Sequence, residues 1–294
     1  MNIKKGERLF ATLNGIMLFT IGIITFYPFY YLVIYSLSSP SEASKGVYIL
    51  PRGLTLINYI SVFRQGIIFH TIFISLSRTV LGTIITVICS SMFAYGISKP
   101  ELPFRKLINR MLFITIYFNA GIIPWYITMK NLHLKNNFLL YILPTAVVAF
   151  YIVILKTNFE QLPKELEESA MIDGAGYFSR FVKIIFPLCV PIIAVVSLFQ
   201  GIWQWNSWVD NFYLCSSDQL MTLQLYLLNF ITQYSANYTA ILTNTTMKVN
   251  VESLVTPTSI RMAITIVALI PVLCVYPFLQ NFFVKGILIG AVKG

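Results

Sequence analysis

Most of the residues that could do chemistry fall in two short stretches and at one isolated arginine. The first stretch, Trp203-Gln-Trp205-Asn206-Ser-Trp208-Val-Asp210, interleaves indole faces with the amides of Gln204 and Asn206. On a continuous helix Trp205 and Trp208, three apart, share a face. Each tryptophan taken alone fits an aromatic belt at a membrane interface, and the amides among them favour the lining of a polar cavity. Arg78 stands inside an apolar run, where a charge must face a cavity, find a partner or snorkel to the interface. About two turns from the run's outer edge, it leaves both snorkelling and a ligand contact open. The second stretch, Glu165 to Leu188, concentrates Glu165, Glu167, Glu168 and Asp173 with Gly174 and Pro187. Its residue types suit docking better than catalysis.

Other catalytic arrangements are missing. His70 and His133 are far apart and lie in no HExxH-like context, so no metal site is expected. Cys89, Cys189, Cys215 and Cys274 show no CxxC spacing, three of them sit in apolar runs, and all four read as small buried hydrophobes. Acids are confined to loops and ends, which argues against a membrane-embedded enzyme and against an ion-driven secondary transporter. Asn237-Tyr-Thr and Asn244-Thr-Thr match a glycosylation pattern, a weak signal.

The elements that must position these residues follow from composition. Of 294 residues 57% are hydrophobic and 11% charged, with a mean hydropathy of +0.75, well outside the range of soluble domains. Six apolar runs, at roughly 13–37, 68–97, 107–129, 138–158, 184–208 and 262–283, are each long enough for a membrane helix. They are continuous runs, unlike the alternating segments of about 10 residues found in membrane β-barrels. Asn119, Gly121 and Pro124 should interrupt the third. The expected fold is all-α, a polytopic membrane protein with six transmembrane helices.

With the N-terminus inside, 13 Lys and Arg fall on the cytoplasmic side and 7 outside, so both termini and Glu165–Leu188 face the cytoplasm. The net charge of +10 is therefore a topology signal and implies no nucleic acid. The basic N-terminal run lacks an A-x-A-like site and reads as a retained anchor. In the cytoplasmic stretch, a helix starts near Pro163 with acids at its positive end and runs to Asp173. Gly174 stops it, and a second helical segment carrying Phe178, Phe181, Val182 and Ile185 runs into Pro187. Leu166, Ala170 and Asp173 share a face, as a docking knob or a solvated interfacial helix would.

Glu168-Ser169-Ala170, three residues, Gly174, nine residues, then Ile184-Ile-Phe-Pro187 resembles the EAA loop of ABC importer permeases. Ser169 and Phe186 are mild departures from that pattern. The Asp173-Gly174-Ala175 form is similar to that of carbohydrate importers. Tyr276 to Gly294 resembles the C-terminal end of maltose-type, MalG-like permeases. Phe118-Asn-Ala-Gly-Ile-Ile-Pro124 and Asn131 to Asn136 look like the oligosaccharide branch often called LplC or YtcP, and the likeness covers essentially the whole chain.

The resemblance implies a single permease domain over 1–294 in the cytoplasmic (inner) membrane, containing a coupling loop at 159–187 and an extracytoplasmic loop at 209–261. It implies pairing with a second, homologous permease and docking of the loop on one of two ATPase subunits. An extracytoplasmic binding protein would deliver an oligosaccharide at the outer loop. This chain has no GxxxxGK[ST] cradle and is expected to bind no cofactor, ATP and Mg belonging to the partner ATPase. Coupling would then rest on Glu168, Ser169, Ala170, Asp173, Gly174, Ala175, Ile184 and Pro187. The substrate path would draw on Arg78, Asn119, Trp203, Gln204, Trp205, Asn206 and Trp208. A permease for peptides or amino acids is the alternative within the same superfamily.

Overall fold

The computed structural model describes residues 5–64, 66–243 and 256–291. Among them there is no strand, only one isolated bridge between Ser38 and Leu54. The chain divides into two compact units. One takes the chain up to Gly66 together with Leu227–Ile270, and the other takes Ile67–Tyr226 together with the chain from Pro271.

In the first unit α1 (Lys5–Ser36) is a long apolar helix, and none of its most apolar window is buried by the rest of the chain, as suits a lipid-facing span. Two short helices follow, α2 (Pro40–Ala43) and α3 (Ile57–Phe63). The segment between them is tied back to the end of α1. The Asn58 amide donates to the Ser36 and Ser38 carbonyls at 2.7 and 3.0 Å, and the Arg52 N–H donates to the Ser38 hydroxyl at 3.1 Å.

The second unit is built on α4 (Ile67–Ser98), followed by α5 (Arg105–Tyr117), α6 (Ile122–Asn131), 3₁₀ turns over 138–145 and α7 (Ala149–Glu160). Next come α8 (Glu165–Ile172), α9 (Tyr177–Arg180), a wider π-type turn at Phe181–Ile185, α10 (Phe186–Leu188), α11 (Val190–Asn206) and α12 (Val209–Leu214). α4 packs chiefly on α7 and α11. Ala94, Ile152, Leu155 and Val196 lie at the centre of that packing. Along α4, Ser75, Gly82, Thr86, Ser90 and Ala94 keep the buried side small, so neighbouring backbones approach closely where lipid offers no hydrophobic drive. α13 (Leu223–Thr243) and α14 (Pro257–Ala291) each contribute to both units.

Among the described residues three of the six expected spans are single unbroken helices: Gly6–Ser36, Ile67–Ser98 and Pro257–Val275. The other three are bent pairs, and six spans result if each pair counts as one. α5 and α6 meet at 118°, the 138–145 turns and α7 at 47°, and the α9–α10 segment and α11 at 82°. The third run is interrupted as expected, at Gly121 with φ +80°, a conformation glycine adopts without strain. Pro124 causes no break and sits in the first turn of α6, where its missing N–H costs nothing.

The stretch 209–261 reads as a long polar loop, yet its described part is mostly helical, because Leu223, Leu225, Tyr226, Leu227 and Phe230 bury one side of α13. Asn237 falls in that helix, while Asn244, Lys248, Lys4 and Lys293 lie outside the described residues. Cysteine burial is also less uniform than expected. Cys189 is buried, Cys89 and Cys215 are half-buried and Cys274 is exposed. No group of three metal-ligating side chains occurs among the described residues.

Candidate functional site

The tryptophan stretch does not form one helical face. α11 ends at Asn206, and Ser207 turns to an extended ψ of 131°. The Ser207 N–H and hydroxyl both return to the Trp203 carbonyl, at 3.0 and 2.9 Å, satisfying a carbonyl of the last turn. Trp208 is therefore beyond the helix, as the residue that opens α12. Trp205 is buried, at 4% exposure, and Trp208 is 38% exposed. The expected pairing of these two rings is overturned by one backbone turn.

Trp203, Asn206 and Trp208 instead share an open concavity of about 740 Å³, walled also by Phe150, Tyr151 and Ile154 of α7 and by Phe199, Ile202, Ser207 and Val209. Its lining is uncharged. Gln204 and Arg78 lie elsewhere, in the core. Gln204 is wholly buried; its amide nitrogen donates to the Tyr141 carbonyl at 2.9 Å and to the Thr145 hydroxyl at 3.0 Å. Gly82 makes room for it, since a Cβ there would stand 2.4 Å from the Gln204 nitrogen.

Arg78 neither snorkels nor faces the concavity. At 1% exposure it donates from Nε to Gln204 Oε1 at 3.0 Å and from Nη1 to the Ser207 carbonyl at 3.2 Å. Nη1 and Nη2 also fork onto the Asp210 carboxylate at 3.1 and 2.5 Å, and the guanidinium lies 4.4 Å from the Tyr141 ring centroid. A buried charge is tolerated when it is paired and hydrogen-bonded, and this one makes four hydrogen bonds, two of them to its counter-ion. Asp210, just past the end of the 184–208 run, is buried against this arginine. Its partner is 132 residues distant in sequence, so spacing could not reveal it. Gln200 and Gln204, four apart in an apolar run, were the available signal of a buried polar face; Gln200 donates to the Thr86 hydroxyl at 3.0 Å. Asn119 is exposed and wholly local: its Oδ1 accepts the Gly121 N–H at 2.9 Å and closes the α5–α6 break.

At the other end of the second unit, the acidic stretch forms the expected helix, turn and helix. Glu165, Glu167 and Glu168 occupy the first turn of α8, favoured by the positive end of the helix dipole. The helix closes in a Schellman arrangement: Gly174 N–H to the Met171 carbonyl at 3.1 Å and Ala175 N–H to the Ala170 carbonyl at 2.9 Å, with Gly174 at φ +79°. No residue of α8 is buried; Ala170 and Ala175 are half-buried and Glu168, Ser169 and Asp173 are exposed. Ile172 is 87% exposed. One carboxylate is spoken for: Glu167 pairs with Lys99 at the end of α4, and Lys99 also lies 4.2 Å from the Tyr95 ring centroid. Past the turn, Phe181 and Ile185 enter the core while Ile184 is half-buried and Pro187 exposed.

No protein-family model matches the chain. Individual relatives do. The polygalacturonan/rhamnogalacturonan transport system permease protein YtcP of Bacillus subtilis (strain 168) is 34% identical over 289 residues, covering 98% of this chain and 99% of the relative. This chain belongs to the permease subunits of ABC sugar importers. Protein LplC of the same strain is 34% identical over 295 residues, covering 100% and 98% of the two chains. AraQ of Halalkalibacterium halodurans, an arabinooligosaccharides transport system permease protein, is 26% identical over 280 residues, with 93% coverage of each. The permease also superposes on a chain of a bacterial ABC transporter involved in the import of the acidic polysaccharide alginate, with a TM-score of 0.83, 27% identity and coverage of 96% and 99%. It is accordingly a multi-pass, all-α membrane protein and a transport component without catalytic activity of its own.

Proposed function

We propose that this permease is one half of a paired translocation pathway for oligosaccharides, driven through α8 by a separate ATPase. A second, homologous permease would complete the pathway, with two ATPase subunits below and a binding protein outside. One observation carries the reading: α8 stands proud of its unit with no buried residue, and its C-terminal turn is closed by its own backbone. Among the described residues only side-chain contacts such as Lys99–Glu167 and Arg180–Met171 meet it, and most of its surface is open. Glu168, Ala170, Asp173 and the bare Ile172 would meet the ATPase cleft, Gly174 would permit the turn, and Lys99–Glu167 would pass its movement to α4. The 13-to-7 charge bias supports six spans with both termini in the cytoplasm, and α8 would then lie on the ATPase side.

At the α11–α12 break, Trp203, Trp208 and Asn206 would receive the sugar, aromatic faces stacking on C–H surfaces while the amide reads hydroxyls. This uncharged lining supplies no cation for a carboxylate. Recognition of an acidic sugar of the kind named for YtcP and the alginate importer would then fall to the partner permease or the binding protein.

The docking reading is tested by Ala170→Cys crosslinking to the co-expressed ATPase, in membranes and without the four native cysteines. A nucleotide-dependent crosslink is expected. A complex that assembles and hydrolyses ATP while position 170 and its neighbours never crosslink would reduce the stretch to a connector. Substrate class is read from ATPase stimulation with the cognate binding protein and a panel of oligogalacturonides, rhamnogalacturonan fragments, arabino-oligosaccharides and alginate oligomers. Stimulation by peptides or amino acids, and by none of these sugars, would replace the reading.

A further inference from the structure

One side chain bridges the helix break that separates Trp205 from Trp208. Arg78 reaches three points spaced three residues apart: the Gln204 amide in the last turn of α11, the Ser207 carbonyl in the break and the Asp210 carboxylate in the first turn of α12. The electrostatics suit both helix ends. The cation meets a carbonyl at the C-terminus of α11, and the anion sits at the N-terminus of α12, where its Oδ1 also accepts the Asn211 N–H at 2.8 Å. Behind it, the Tyr141 ring backs the guanidinium and Gln204 is anchored to the Tyr141 carbonyl and Thr145 hydroxyl. The residues so fixed alternate with Trp203, Asn206 and Trp208, which line the concavity.

We infer that Arg78 and Asp210 are positioning residues, a buried clasp that sets the angle between α11 and α12 and so places Trp203, Asn206 and Trp208 around one binding surface. The clasp touches no ligand. Its planar fork is specific to arginine, because a lysine ammonium is a point donor that cannot serve Gln204, Ser207 and both Asp210 oxygens in one plane. Asp210 has a second effect: it neutralises the guanidinium, so the nearby concavity remains uncharged.

This inference rests on the sugar-binding reading of the concavity, and the experiment separates the two. In the assembled importer, uptake of the best-imported oligosaccharide of the panel is measured for Arg78→Lys, Asp210→Asn, their double variant, Trp203→Ala and Trp208→Ala. Each KM and maximal rate is normalised to permease in the membrane. The tryptophan variants should raise KM, which establishes the surface. Arg78→Lys and Asp210→Asn should each raise KM about tenfold or more with maximal rate per complex within about twofold, as expected when a binding shell loosens. The double variant should match the worse single one within about twofold, since both act through one clasp.

A role in folding alone would lower the amount of permease and leave KM unchanged. Unaltered KM in both clasp variants, with the tryptophan variants impaired, overturns the clasp and spares the binding surface. Unaltered KM in the tryptophan variants overturns the surface and, with it, the clasp. Where Arg78→Lys fails to accumulate, Asp210→Asn decides, together with the thiol-labelling rate of Asn206→Cys in a cysteine-free background with and without it. The clasp requires that rate to change.

Discussion

The two ends of the second unit handle charge in opposite ways. Around Arg78 every ionic group is internal: arginine, carboxylate and amides satisfy one another beneath the α11–α12 break. Around α8 only Glu167 is tied inward, to Lys99, while Glu165, Glu168 and Asp173 remain exposed. The difference follows from the surroundings. In hydrocarbon an unpaired charge must find its partner within the protein, whereas a water-exposed charge is solvated without one. The internal cluster is therefore a matter of folding and shape, whereas the exposed one is available for the docking proposed for α8.

The comparison is tested first where the largest effect is expected. Asp210→Ala strips a buried guanidinium of both its counter-charge and its hydrogen-bond acceptors, one of which Asp210→Asn keeps, a loss of about 3–5 kcal/mol that should sharply lower permease accumulation in membranes by immunoblot. Glu168→Ala, at the other end, should leave accumulation unchanged and lower only sugar-stimulated ATPase activity. Equal accumulation of both variants would erase the distinction. Next, Gly82→Val drives a side chain into Gln204 and should cost about 1–3 kcal/mol by overpacking, seen as a lower detergent-extracted melting temperature.

Gly174→Ala comes third. It forces a Cβ into left-handed backbone, at about 1 kcal/mol, with open space around the new methyl. Accumulation should hold while ATPase stimulation falls, because the strain acts on the turn that shapes the docking surface. The smallest effect on stability is expected from Glu167→Gln. The Lys99–Glu167 pair is partly exposed, at 18% and 16%, and contributes about 1 kcal/mol or less. Melting should barely move, and a reduced ratio of sugar transported to ATP hydrolysed would show that the pair carries motion from α8 to α4.

The acidic helix and its stop were legible because their signals are local. Acids in a first turn, a glycine at a C-cap and a proline ahead of a span each act within a few residues. The break at Gly121 was legible for the same reason. The α11–α12 break was not, since Ser207 is an ordinary residue in a helix-like pattern and leaves helical conformation where Arg78 meets its carbonyl. α13 was missed because Thr and Asn around 232–246 drew attention from the apolar periodicity at Leu223–Phe230.

The sequence alone determined that this is a helical membrane protein whose cations are biased to one set of loops, and that an acidic helix with a glycine stop follows Pro163, because hydropathy, charge bias and capping are properties of neighbouring residues. Tertiary structure alone decided which polar groups line the open concavity and which are consumed inside. Arg78 and Gln204 look like binding residues until Asp210 and Tyr141 are brought against them, and Trp205 and Trp208 look paired until the helix between them ends. Those outcomes depend on contacts across 63 to 132 residues, which chain spacing cannot encode.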